Sequence, residues 1–545
     1  MNQPGALREN ADAGRWIPAA LAVFSLVVLL PGSGSPSQLT KGDVYTFVFM
    51  AAAGMLETGQ YLIPLWNAKI DLSKPPLFHW ALAEALRFFE NPFFACRILP
   101  ILCSWVSVLL IYALGRLLAL SRERSLLASL IFLSCAAMAD YGRQPLLEAP
   151  LLACLLAAFY GLTRACLAEK PLWLLLFGAG LGLSAMVKWV VGPATLAVYA
   201  AAYLAWSGRW RWLAGRPGHM AGALALAAAI ALPWPILLVW RHFQEVRIHM
   251  YAQLYAERFG DYTPIGNFLG YVVTGFIPWS LLWIPALMRI KRASLEQKMA
   301  LGSWLAGVFL PILLIANRSS RYAFPALPAL ALGLAATLAP LERPWRWSLR
   351  ATAVLVGTCF ATLVAALYWM GLSPAYLAAL GLLASLGAAA ALWRTEIGFI
   401  AVGAAACAAC WAILVGPGVR AVGFHDIPPR VLEAIGGRDV RRFENLQEAA
   451  STGYLPIYLR RRVFIVDAGD LWCCGLQGNS MLVVLSGSSL DRLKAAALDQ
   501  KISWRVLESW QSPHTHPRWE QVRKALETRS LAPLDVTHYL IELNR

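Results

Sequence analysis

Apolar windows close to the length of a membrane span recur along most of the chain. They fall at about 16–31, 95–117, 124–140, 145–166, 171–187, 189–206, 219–240, 267–290, 297–316, 322–340, 349–371, 374–393 and 397–417. A helix needs about 20 apolar residues to cross the hydrocarbon core of a bilayer, so the pattern predicts thirteen transmembrane helices. The stretch 70–89, IDLSKPPLFHWALAEALRFF, does not fit it. Lys74 and a proline pair open this stretch, and His79, Glu84 and Arg87 interrupt it. Leu77, Trp80, Leu82, Leu86 and Phe89 still form an apolar stripe at helical spacing, as expected of a helix over 75–89 that lies in the membrane interface.

Charge decides which side each loop occupies. Counted without the 70–89 segment, the loops RLLALSRER, SGRWRWLAGRPGH, RIKRASLEQK and ERPWRWSLR all fall inside, as the excess of Lys and Arg in cytoplasmic loops requires. Counting 70–89 as a span would put all four outside. Thirteen spans from a cytoplasmic start place the C-terminus and the first loop, 32–94, on the outer side of the membrane. The apolar run behind Arg8 and Arg15 reads as a retained anchor, since no small-residue cleavage site stands out.

Composition agrees with this setting. The 545 residues are 59% hydrophobic and 14% charged, and the mean hydropathy is +0.56. A formal charge of +16 would point to nucleic acid in a soluble domain, but here it belongs to inner loops and lipid phosphates. After Pro417 the pattern changes. LPIYLRRRVFIVDAG and SMLVVLSG read as strands, and LDRLKAAALDQK and RWEQVRKALET as amphipathic helices, which predicts a small α/β domain over 421–545 beyond a membrane domain over 1–420. Eight of the ten cysteines lie in or beside spans as small apolar filler, and the adjacent pair Cys473 and Cys474 is read as unbridged.

Ionisable residues at membrane depth are costly and mark function. Those on the outer side are Asp43 and Lys74 in the first loop, Arg143 and Glu148 in YGRQPLLEAPLL, Lys188 in GLSAMVKWVVGP, Arg241, Arg247, Glu257, Arg258 and Asp261 in the fourth loop, and Arg318 and Arg321 in NRSSRYAFPALP. An arginine near a helix end is commonly an interfacial anchor, and Asp43 would also serve as a helix N-cap. Glu148 heads an apolar span, where an unpaired carboxylate costs several kcal/mol, roughly, and calls for a cation. Together the residues describe a cationic pocket with carboxylates at the outer face, suited to a lipid phosphate and a hydroxyl that loses its proton.

The order of GD in the first outer loop, then TGQYLIP, SKPPLFHW, a buried LLE, ALPW, AERF, GFIPW and RYAFPALP, with YLPIYLRRRVFIV beyond the spans, resembles bacterial membrane glycosyltransferases of the aminoarabinose transferase and protein mannosyltransferase type. The resemblance implies the GT-C fold: mostly α, polytopic, with interfacial helices in the first outer loop. It implies transfer of a sugar from an undecaprenyl-phosphate carrier to lipid A or another glycolipid or protein acceptor, by a monomer without a nucleotide sugar. Asp43 matches the aspartate beside the incoming hydroxyl and Glu148 the second acidic position. Lys74, Arg258 and Arg321 would hold the phosphate, with Arg143, Lys188, Arg318 and Tyr322 completing the substrate-binding set. Two departures stand out. An ungapped match from TGQYLIP puts the family's aspartate at Val44, one residue past Asp43, and Ser73 replaces the glutamate that offers some members a metal ligand. The expectation is therefore a site without cofactor or metal. The alternative class is a flippase or transporter of polyprenyl-linked lipid.

Overall fold

The computed structural model describes residues 16–36, 42–67, 69–248, 263–316, 318–369, 375–394, 396–423, 426–443, 452–469, 471, 480–513 and 518–544. Every predicted window meets a helix or a broken pair of helices. Five helices are long and apolar enough to cross a membrane: Pro92–Leu117, Glu148–Leu167, Pro171–Lys188, Arg343–Ala366 and Ile397–Gly418. Two bent pairs, Pro217–Ala231 with Pro233–Arg241 and Ile265–Gly275 with Trp279–Met288, raise the number to 7 among the described residues. Proline, which lacks an N–H and cannot continue a helix, stands at both breaks, as Pro233 and Pro278. Elsewhere helix starts are capped: Asn91 accepts from the Phe94 amide ahead of Pro92, and Ser294 forms a reciprocal capping box with Gln297.

The four basic loops meet at one end of the bundle. Arg209 pairs with Glu296 at 2.7 Å. Arg289 and Arg292 both pair with Glu342, Gln297 donates to the Leu118 carbonyl, and Arg124 donates to the carbonyls of Ala335, Ala336 and Leu338. Loops at the other end are joined in the same way. Three indole N–H groups hold the first long loop: Trp80 donates to the Tyr61 carbonyl, Trp234 to Leu62 and Trp189 to Leu72. Fully buried Arg97 fixes the start of that loop by donating to the carbonyls of Gly32, Ser33 and Ser35.

The expected interfacial helix exists as Leu77–Phe88, but its buried face is wider than the predicted stripe and takes in Phe78 and His79 as well as Leu82 and Leu86. Protein covers it. Arg460 of the C-terminal domain donates to the Leu86, Phe89 and Glu90 carbonyls, and Phe93 packs on Tyr454 and Tyr458.

In the C-terminal domain, β1 (Leu65–Trp66) and β2 (Lys69–Ile70) of the first loop approach a five-stranded sheet made of β3 (Val440–Phe443), β4 (Ile465–Val466), β5 (Ser480–Ser486), β6 (Ser503–Pro513) and β7 (Asp535–Asn544), in the order β4-β3-β5-β7-β6. Asn67 acts as an extra strand neighbour, accepting from the Ile465 amide and donating to its carbonyl. Glu57 accepts from the Arg462 guanidinium at 2.5 Å and from its backbone amide. LPIYL, expected as a strand, is the helix Leu455–Leu459. Pro456 in its first turn favours that start, and Leu455, Pro456 and Ile457 are all buried, without the alternation of a strand. The predicted helices are Leu490–Asp499 and Trp519–Thr528. Cys473 and Cys474 lie outside the described residues.

Candidate functional site

Close packing of small residues sets the position of Lys188. A Cβ on Gly178 would sit 2.1 Å from the Ala223 carbonyl oxygen, and one on Gly180 would sit 2.6 Å from the Cys154 carbonyl oxygen. Helix Leu174–Lys188 is thus wedged between helices Pro217–Ala231 and Glu148–Leu167, at a backbone distance that only glycine allows. Its last residue meets the first residue of the neighbouring span: Lys188 Nζ lies 2.9 Å from Glu148 Oε1, with both side chains over nine-tenths buried. Arg321 Nε approaches the same oxygen at 3.6 Å. Lys188 also stands 4.6 Å from the centre of the Tyr322 ring, a distance at which the ring face attracts a cation.

These four residues line a cavity of about 200 Å³ whose remaining wall is apolar apart from Thr195, and includes Leu151, Val190, Ile312 and Leu314. Among the described residues, one buried carboxylate faces these two cations. Glu148 fixes Lys188 by a charge-assisted hydrogen bond, and the more exposed Arg321 approaches the same carboxylate from segment Ser320–Ala326. Beyond Lys188 the chain turns through Trp189 at φ 37°, a conformation that costs a bulky residue free energy and marks a constrained turn. The Trp189 indole holds the Leu72 carbonyl at 3.2 Å and packs on Trp234 with ring centres 5.1 Å apart. The segment leading to Lys74 is thereby anchored beside the Lys188 turn.

The other predicted residues are placed as follows. Lys74 is half-buried and donates to the Ser73 carbonyl at 3.2 Å. Arg143 is buried, donates to the Pro31 carbonyl, and does not line the cavity. Arg318 donates to the carbonyls of Ile312, Leu313 and Thr263, closing the end of helix Leu295–Leu313. Asp43 falls in helix Gly42–Thr58 by its backbone, but its side chain, like all of Arg258, lies outside the described residues. Among the described residues no three His, Cys, Asp or Glu side chains are grouped to hold a metal ion. Sequence reasoning passed over Trp189, whose signal is a turn between two spans in VKWVV with no glycine or asparagine to take the positive φ. It also passed over Asp140, an acidic residue at the end of an apolar window.

Residues 73–234 match the family model described as dolichyl-phosphate-mannose-protein mannosyltransferase. That segment opens at the SKPPL motif and contains Lys74, Arg143, Glu148 and Lys188. The chain is 27% identical over 344 residues to an undecaprenyl phosphate-alpha-4-amino-4-deoxy-L-arabinose arabinosyl transferase of Sodalis glossinidius, covering 59% of each chain. It is 26% identical over 329 residues to the transferase of that name from Pseudomonas aeruginosa, covering 57% of each. The match thus spans less than two thirds of these relatives' length. Two crystal structures of ArnT from Cupriavidus metallidurans share the fold. The apo form has a TM-score of 0.71 at 16% identity, covering 98% of both chains. The form bound to undecaprenyl phosphate has 0.70 at 17%, covering 96% of this chain and 97% of that one. The fold is the expected GT-C fold, and the resemblance carried by SKPPL and LLE is borne out.

Proposed function

We propose that this chain is an inverting glycosyltransferase. It moves a sugar, an aminoarabinose-like pentose or a relative of one, from undecaprenyl phosphate to lipid A or another envelope acceptor at the periplasmic face. The observation that carries this reading is the Glu148–Lys188–Arg321 cluster: two cations share one buried carboxylate in an apolar-walled cavity, the combination a phosphate on a long hydrocarbon requires. The relatives' names and the undecaprenyl phosphate bound to the Cupriavidus structure support the donor class.

A sugar on a polyprenyl phosphate already carries a good leaving group, so no general acid is needed and charge stabilisation remains the main task. The acceptor hydroxyl attacks the anomeric carbon from the face opposite the phosphate, and the C–O bond to phosphate breaks. Its electron pair stays on the phosphate, where Arg321 and Lys74 take up the growing charge. Asp43 accepts the hydroxyl proton. Glu148 stays ionised and orients Lys188. Purified protein in detergent, given a synthetic polyprenyl-phosphate sugar and a glycolipid acceptor, is expected to release polyprenyl phosphate and extend the acceptor. Transport of the donor across proteoliposomes with no release would instead identify a flippase.

A further inference from the structure

A second cavity of about 280 Å³ lies beside the first and is not used by this chemistry. Asp140 and Gln144 line it from the second outer loop and the short helix before it, Tyr271 from helix Ile265–Gly275, and Trp411 and Val415 from the last span. The cavities are neighbours through segment Ser320–Ala326. Arg321 and Tyr322 face the first, and Phe324 packs edge-on against Tyr141, which in turn packs on Tyr271.

The polar groups of this cavity have a definite sense. Gln144 Nε2 donates to Asp140 Oδ1 at 2.7 Å. An ionised carboxylate only accepts, so the amide cannot be turned the other way, and Gln144 Oε1 is the acceptor that remains. Gln144 is 3% exposed, and its Oε1 has no hydrogen-bond partner. The partner Asp140 does have is neutral, and no cation pairs with it among the described residues. A half-buried carboxylate, an unused buried amide oxygen and two aromatic rings are what an ammonium group requires: acceptors for its protons and ring faces for its charge. The Trp411 ring is held in place, because its N–H donates to the Ser134 carbonyl at 3.0 Å.

We propose that this cavity binds a protonated primary amine. Two sources share that chemistry, an amino sugar on a polyprenyl phosphate and the ethanolamine headgroup of a phospholipid. The inference goes beyond the proposed transfer and does not need it, because its readout is binding.

The full-length protein would be purified in detergent and its ligand affinities measured by native mass spectrometry in two arms. One compares a polyprenyl-phosphate amino sugar with its hydroxyl counterpart, the other phosphatidylethanolamine with phosphatidylglycerol. An amine preference is expected in at least one arm, and the arm identifies the source. Asp140→Asn should reduce that preference about ten- to a hundredfold while leaving the hydroxyl or glycerol ligand bound as before. Tyr271→Leu, which keeps the carboxylate and its amide partner, should reduce it about three- to tenfold and serves if the first variant does not fold. No amine preference in either arm, or a preference unchanged in whichever variants fold, would overturn the proposal. Loss of turnover with amine binding intact would count against the transferase alone.

Discussion

Taking away the Glu148 carboxylate would leave Lys188 charged and buried with its nearest anion gone. Breaking a buried pair from one side typically costs about 3–5 kcal/mol, whereas replacing both members with uncharged groups of similar size costs far less. Glu148→Leu is therefore expected to lower the thermal unfolding midpoint clearly, and Glu148→Leu with Lys188→Met to recover much of the loss. A double variant no better than the single would mean that the pair's stability role is small. At Asp43 the expectation differs in kind. Asp43→Asn keeps size and most hydrogen bonding but cannot take a proton, so turnover should fall by about 10²–10⁴-fold with donor binding unchanged, measured side by side. Normal turnover would remove Asp43 as the base. Glu148 was legible because a carboxylate heading an apolar run demands a partner. Which cation answers it was not legible, since Lys188 and Arg321 reach it from separate loops. Arg143 and Arg318 each donate to backbone carbonyls, a use that charge along the sequence does not announce.

The elements around the cavity are held by side chain to backbone bonds that no hydrophobic period announces. The carbonyls of Tyr61, Leu62 and Leu72 each accept an indole N–H. Trp234→Phe keeps an aromatic ring but strands the Leu62 carbonyl, costing about 1–3 kcal/mol if the carbonyl stays dry. Hydrogen exchange across residues 59–73 should speed up, and unchanged exchange would show that water replaces the indole. The helix Leu77–Phe88 yields a pH prediction. Burial pushes the His79 imidazole down to about 4, with Lys74 adding to the effect and Asp71 opposing it. An unfolded chain takes up this proton near the ordinary value of 6.5, and the folded chain resists it. Stability is thus complete above about pH 6.5 and falls as the pH drops toward 4, by up to about 3 kcal/mol. His79→Leu should flatten the unfolding midpoint over that window, and an unchanged slope would assign the acid sensitivity elsewhere. The sequence announced this helix through its stripe of apolar residues. It did not announce His79 as buried, because the helix packs against Gly42–Thr58 and Pro92–Leu117, contacts that the stripe does not specify.

At the scale of the molecule, the two ends of the bundle are distinct. Arg209, Glu296, Arg289, Arg292 and Glu342 tie the basic loops into one network, while the cavity, the indole contacts and the Glu57–Arg462 pair gather at the other end. That arrangement was largely legible, since each window with its flanking charges was enough to sort the loops into two sets. The long antiparallel pair of β6 and β7 was not, because β6 exposes most of its first half and lacks a clear alternation. The network joins the loops to one another, and the excess of Lys and Arg at that end is what the positive-inside rule expects of a cytoplasmic face. In a cysteine-free background, Gln60→Cys in the exposed part of the first long loop should react with an impermeant thiol reagent in intact spheroplasts. Lys291→Cys, exposed at the basic end, should react only after permeabilisation. The reverse pattern would turn the Lys188 cavity toward the cytoplasm. A donor presented at the periplasmic face could not then reach it, so the labelling tests the transferase reading as well as the topology.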